Sequence, residues 1–274
     1  MHDDRELAER RIARELNERI LPAVHRETRP LTLCAGERRD ALAPFEAGTR
    51  WGEAWGTTWF AAAGTVPRDW RDRGGTRVEA LSDLGFSRSG PGFQAEGLQV
   101  RCATDGRSVP VVGIHPRRMT VPVDLDLDRD PSPSPSDATG DDGTPIRLLV
   151  EAASNPSFPQ FAPSPDGRLA SAPPGPRYRF RRAELVLTDV EIEALVHDID
   201  VADGLMRALP LGDPRRAAMR AAIVAALDAF PDVAAARSAI APVLAPWPPR
   251  PGGDARHRIV ATGHAHIATA WLWP

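Results

Sequence analysis

Residues 144–153 read TPIRLLVEAA, and in that stretch Ile146, Leu148 and Val150 recur at every second position. An extended chain points alternate side chains to opposite faces, so these three fall on one side of a strand. The same period runs outward through Trp55, Thr57 and Trp59, Val78 and Ala80, Val109 and Val111, Met119, Val121 and Val123, and Leu185 and Leu187. Clusters of Gly, Pro, Asp and Ser separate these runs. Many short strands between turn signals predict an antiparallel β-sandwich over residues 31–187. Inside it, residues 124–144 (DLDLDRDPSPSPSDATGDDGT) carry hardly any apolar side chains and are expected to form a mobile loop. Asp124, Asp126 and Asp128 are spaced like the start of a calcium loop. Arg129 stands where that loop needs Gly, however, and Pro135 where it needs a bidentate Glu, so no calcium site is expected.

Helical periodicity flanks the strands. Leu7, Ala8, Ile12, Leu16 and Ile20 form one apolar stripe that stops at Pro22, which predicts an amphipathic N-terminal helix packed on the body of the protein. The period returns at Thr188, where a capping box with Glu191 opens a helix carrying Ile192, Leu195, Val196, Ile199, Ala202, Leu205, Met206 and Leu209. Asp213-Pro214 supplies an N-cap and a first-turn Pro for a second helix with Met219, Ala222, Ile223, Ala226, Leu227 and Phe230. A third helical stretch runs from Val233 toward Leu244, where Pro242 is expected to bend or end it. Met206 and Met219 read as core filler. The division expected is a helical arm at 1–30, the sandwich at 31–187, a helical segment at 188–245, a Pro/Gly linker at 246–253 (PWPPRPGG), and the start of a new domain at 254–274.

Composition limits the function classes. Among 274 residues, 34 basic and 37 acidic side chains leave a net charge of −3, which gives no pull toward nucleic acid or anionic membrane. All basic residues are Arg, so a phosphate-binding Walker loop with its Lys is impossible, and no Gly-x-Ser-x-Gly elbow appears. Cys34 and Cys102 are isolated, which argues against a disulfide framework and for a reducing compartment. His25, His115, His197 and His257 are scattered and receive no role. No secretory leader and no apolar run long enough for a membrane helix is present, so a cytoplasmic location is expected.

Chemistry concentrates at the end of the chain, in GHAHIATAWLWP (263–274), directly after the apolar run Ile259-Val260-Ala261. His264 and His266 point to one face of a strand, and neutral imidazoles at the C-terminal end of a strand are good zinc ligands. The string resembles the opening of the catalytic domain in the zinc-dependent α-mannosidases of glycoside hydrolase family 38, where Gly-His-x-His-Ile-Asp precedes Ala-Trp-Leu-Trp-Pro. Upstream, WGTTWF (55–60), GFQAEG (92–97) and Asn155-Pro156 are similar to the β-rich N-terminal region of the cytosolic and vacuolar class.

The resemblance implies a mixed β and α fold: an N-terminal helix, an antiparallel β-sandwich, a helical segment, and the first strand of a truncated α/β barrel-like catalytic domain. It implies a retaining hydrolase of α-mannosidic bonds, with α-mannosides or manno-oligosaccharides as ligands and zinc in the full-length parent. His266 matches a zinc ligand and Trp271 matches the Trp that lies against the mannose ring. The partner ligand, an Asp, is replaced by Ala268, and His264 matches a neighbour without a ligand role. Neither the nucleophile nor the general acid has a counterpart here, so the chain alone is expected to bind zinc poorly and to be inactive. A different reading is a non-catalytic carbohydrate-binding or assembly sandwich in which Trp51, Trp55, Trp59 or Trp70, with Gln94 and Glu96, meet a sugar or a partner subunit, a second copy included. A third, a metal-dependent amidohydrolase-type barrel opening with His-x-His, fits the long β-rich prefix poorly.

Overall fold

A computed structural model describes residues 5–87, 94–102, 111–123, 125, 143–155 and 175–245. The chain opens with helix α1 (Arg5–Glu15), which runs through one wider turn (Leu16–Ile20) into the short α2 (Leu21–Ala23). Twelve strands follow: β1 (His25–Pro30), β2 (Thr32–Gly36), β3 (Ala43–Phe45), β4 (Arg50–Trp51), β5 (Thr57–Val66), β6 (Thr76–Asp83), β7 (Glu96–Cys102), β8 (Val112–Ile114), β9 (Thr120–Pro122), β10 (Thr144–Ala153), β11 (Tyr178–Arg179) and β12 (Arg182–Asp189). Three helices close the described chain: α3 (Val190–Ala208), α4 (Pro214–Ala229) and α5 (Val233–Leu244).

The strands form a six-stranded sheet in the order β3-β2-β5-β10-β7-β8, a four-stranded sheet in the order β1-β12-β6-β9, and a small β4–β11 pair. Every pairing between strands is antiparallel. Phe60, Ala62 and Val66 of β5 and Ile146, Leu148, Val150 and Ala152 of β10 face Val78, Ala80, Val121, Leu185 and Leu187 of the other sheet in one buried core. This is the sandwich that the period-two pattern predicts. Its tightest packing is aromatic: Phe60 meets Trp51 edge-on at 5.2 Å, Phe45 at 5.3 Å and Phe180 at 4.8 Å.

A second core joins Ile12 and Ile20 to Leu195, Ile199, Met206, Met219, Ile223, Leu227 and Ile240, so the N-terminal helix packs against the three C-terminal ones. Arg216 fixes that contact. It is nearly buried, donates to Leu209 O at 2.8 Å and pairs with Glu9 at 2.8 Å. Both methionines are buried in this core.

The N-terminal helix ends at Ala23, one residue past Pro22, as the sequence predicts. One local expectation needs correction. Thr188 does not cap α3. β12 pairs with β6 as far as Asp189, and the Thr188 hydroxyl donates to the buried Glu79 at 2.6 Å. The cap passes to Asp189, whose carboxylate accepts from Glu191 N and Ile192 N at 3.0 Å each and from Arg26 Nε at 2.7 Å. α5 ends at Leu244, two residues past Pro242, as expected. Asp213 caps α4 as expected, accepting from Arg215 N at 2.9 Å.

The expected loop at 124–144 and the segment 246–274 fall almost wholly outside the described residues.

Candidate functional site

The chain enters β5 through Trp51-Gly52-Glu53-Ala54-Trp55-Gly56 at one end of the sandwich, and Ser154, just past β10, sets the shape of that turn. Ser154 is fully buried. Its hydroxyl lies against the carbonyl oxygens of Glu53 and Gly56, 2.9 Å from the latter, and donates to one at a time. Its backbone N–H donates to Gly56 O at 2.9 Å, and its carbonyl accepts from Trp55 N at 3.2 Å. A Cβ on Gly52, where φ is +78°, would lie 2.4 Å from the Ser154 Cβ, so the approach requires glycine.

The bracket drives Trp55 to φ 65°, a left-handed conformation that costs a bulky residue about 1–3 kcal/mol. Trp55 is also 38% exposed. The turn therefore holds a large, partly exposed apolar side chain against its own backbone preference.

Polar groups surround this turn. Glu53 accepts from Gly175 N at 2.8 Å. Asn155, itself buried, donates from Nδ2 to Glu96 Oε1 at 2.9 Å and accepts at its carbonyl from the Tyr178 hydroxyl. Burial pushes the Tyr178 phenol up from its ordinary value. Tyr178 lies 5.5 Å from Trp51, ring to ring. The rim thus carries one exposed aromatic plane, two carboxylates and an amide, which is chemistry suited to hydroxyl-rich ligands.

The other residues singled out from sequence separate clearly. Trp51 is only 4% exposed and its Nε1–H donates to Leu84 O at 2.8 Å, so it is core. Trp70 is buried, donates to Glu27 at 3.3 Å and lies under Arg29. Trp59 points out from the six-stranded sheet, half-buried, in register with Glu151 and Gly36. Gln94 spends its side-chain amide on the Ser87 backbone, accepting at 2.7 Å and donating at 3.1 Å, which is structural duty. Cys34 and Cys102 are free thiols. His264, His266, Ala268 and Trp271 lie outside the described residues. Among the described residues no three His, Cys, Asp or Glu gather in a metal-binding arrangement.

Ser154, Glu53 and Tyr178 were not evident from sequence. The signal that points to them is the spacing of Gly52 and Gly56 around Trp55, which marks a close backbone approach but not the residue that makes it.

A family model described as "Alpha-mannosidase, jelly roll domain" matches residues 22–186. The human protein Alpha-mannosidase 2C1 is 29% identical over 237 residues, which is 84% of this chain and 20% of that protein. The chain therefore spans about one fifth of the length of that relative.

Proposed function

The chain belongs to the alpha-mannosidase jelly roll domain family, and on that premise we propose that it forms the N-terminal β-sandwich and helical segment of a cytoplasmic α-mannosidase, a zinc-dependent retaining hydrolase of family 38. The observation that carries this reading is the coincidence of the family match over 22–186 with the observed sandwich, followed in the sequence by the His-x-His and Ala-Trp-Leu-Trp-Pro string. Two free cysteines and the absence, among the described residues, of any helix long and apolar enough to cross a membrane are compatible with the location.

This chain's own donors do not make a zinc site. His266 is a single imidazole, Ala268 offers a methyl where the resemblance requires a carboxylate, and a catalytic zinc needs about three protein donors. Trp271 is left with the role of lying against a sugar ring in the assembled enzyme. The division into arm, sandwich, helical segment, linker and the start of a catalytic domain at 254 belongs to the same proposal.

The test is the coding DNA downstream of the Pro274 codon. A long open frame with His- and carboxylate-bearing strands is expected, and a stop with no such remnant overturns the reading. In parallel, the pure chain is expected not to turn over an aryl α-mannoside with or without zinc. Chelator-sensitive turnover would show that the catalytic groups have been misplaced.

The exposed, strained Trp55 beside Glu53, Glu96 and Asn155 favours a second reading, a sugar-binding rim on the sandwich itself. Mannose at millimolar concentration would then change tryptophan fluorescence in the parent and not in Trp55→Ala. An unchanged signal in the parent leaves the rim structural.

A further inference from the structure

The small β4–β11 ribbon gathers three arginines on one face. Trp51, Tyr178 and Phe180 pack inward on the aromatic centre of the sandwich, so strand alternation turns Arg50, Arg177 and Arg179 to the other side. Arg179 lies directly opposite Arg50 in register, and Arg177 opposes Gly52, donating its backbone N–H to Gly52 O at 2.9 Å. Like charges set directly opposite destabilise a ribbon. None of the three has a carboxylate partner among the described residues. Arg50 reaches Pro176 O at 3.5 Å, Arg179 donates to Gly48 O, and the Nε of the half-buried Arg177 is shut away without an acceptor. The next arginines along the chain differ: Arg181 pairs with Asp83 at 2.8 Å and Arg182 with Glu184 at 2.6 Å. Glu53, the acid nearest to Arg50 in the sequence, accepts from Gly175 N instead.

We propose that Arg50, Arg177 and Arg179 bind a phosphate dianion, carried by a phosphorylated hexose. Two residues along a strand span about 6.6 Å and paired strands lie about 4.8 Å apart, so the three Cα atoms form a triangle that long Arg side chains can close on one tetrahedral oxyanion. Each guanidinium presents a planar fork of donors that matches phosphate oxygens. A bound dianion relieves the repulsion between Arg50 and Arg179 and offers Arg177 the acceptor it lacks. Three charges confined to one spot, on a chain of net charge −3, suit a single small dianion rather than a nucleic acid or a membrane, which need an extended basic field.

The hexose is assigned from what adjoins the arginines. Trp55 follows Gly52 by three residues, within about 11 Å even at full extension, with Glu53, Glu96 and Asn155 around its turn. A phosphate held at Arg177 thus places an attached ring toward the aromatic plane and its hydrogen-bonding groups. This half of the proposal rests on the sugar-binding rim proposed above, whereas the phosphate half stands without it.

Isothermal titration calorimetry on the 274-residue chain, in phosphate-free buffer of low ionic strength, tests both halves with inorganic phosphate, mannose 6-phosphate and mannose. Phosphate is expected to bind with a millimolar Kd that weakens as salt is added. Mannose 6-phosphate should bind about tenfold more tightly than either phosphate or mannose. The double variant R50Q/R179Q changes two exposed side chains; it should weaken phosphate about tenfold or more and leave the response to mannose as in the parent. Arg177→Gln should weaken phosphate similarly, and an unchanged thermal midpoint shows that each variant folds. Trp55→Ala should lower mannose 6-phosphate to the affinity of phosphate alone. No phosphate binding at about 10 mM, or R50Q/R179Q binding like the parent, overturns the site even where mannose still registers at Trp55. Phosphate that binds through the arginines with no gain from the sugar overturns the hexose half. An Asp- and Glu-rich peptide that binds through the same arginines where phosphate does not would assign them to a polypeptide and likewise overturn the proposal.

Discussion

In the sandwich, residues that touch in the core come from strands far apart in the chain: β1 pairs with β12, and β5 with β10. In the helical bundle α3, α4 and α5 are consecutive and separated by short turns, and only α1 arrives from a distance. The sandwich therefore depends on long-range closure, while most of the bundle is local and gains one long-range clamp through Arg216 and Glu9. Asp189 joins the two regions. It ends β12, caps α3, pairs with Arg26 and donates its N–H to Val24 O at 2.7 Å. The difference teaches that damage to either core should spread only as far as this seam transmits it.

The largest expected effect is Phe60→Ala, which empties the aromatic centre of the sandwich at a cost of about 3–5 kcal/mol. Calorimetry should show the main transition falling, and a bundle that keeps its helical circular dichroism above that transition would mark the regions as independent. Next, Arg216→Ala strips Glu9 and the Leu209 carbonyl of a nearly buried partner and should cost about 3 kcal/mol. Faster hydrogen exchange confined to α1 would sharpen the contrast, and equal acceleration in β5 and β10 would break it. Asp189→Ala removes a cap and should cost about 1–2 kcal/mol, with sandwich and bundle transitions separating.

Acid provides the gentlest probe. Burial, helped by Arg182, holds His25 below its ordinary pKa, against Glu79, Glu184 and Glu193, which pull the other way. The unfolded chain therefore takes up that proton first, and stability should decline as pH falls below about 6.5. His25→Asn should flatten the decline. Asp189 is opposed by its burial, but the Ile192 N–H and Arg26 hold it below the usual carboxylate range. Its contribution is present above the unfolded value and is lost only as pH falls through the lower folded one. Asp213, held at about 2 by the Arg215 side chain and backbone N–H, should keep α4 capped in acid after the seam has weakened. Helix-specific exchange at pH 3 would check the order.

The sheet cores and the helices were legible because their periods survive in the sequence, as in Ile146, Leu148 and Val150. Trp55 was read with Thr57 and Trp59 as strand, yet the strand begins at Thr57 and Trp55 sits in a left-handed turn. Alternation cannot register a bracket that arrives from Ser154, about a hundred residues away. Thr188 looked like a cap because Glu191 follows at the right spacing. The competing demand of Glu79 on its hydroxyl is a tertiary fact.

The pairing of the first strand with the last sets a schedule for the ribosome. His25 waits for Thr188, about 160 residues later, before the edge of the four-stranded sheet can close. At a synthesis rate of about 5–20 residues per second that interval is on the order of ten to thirty seconds. Throughout it, Ile12 and Ile20 lack Leu195, Ile199, Ile223 and Leu227, the later side chains that bury them, so the helix that carries them stays apolar and uncovered until α3 and α4 have been made.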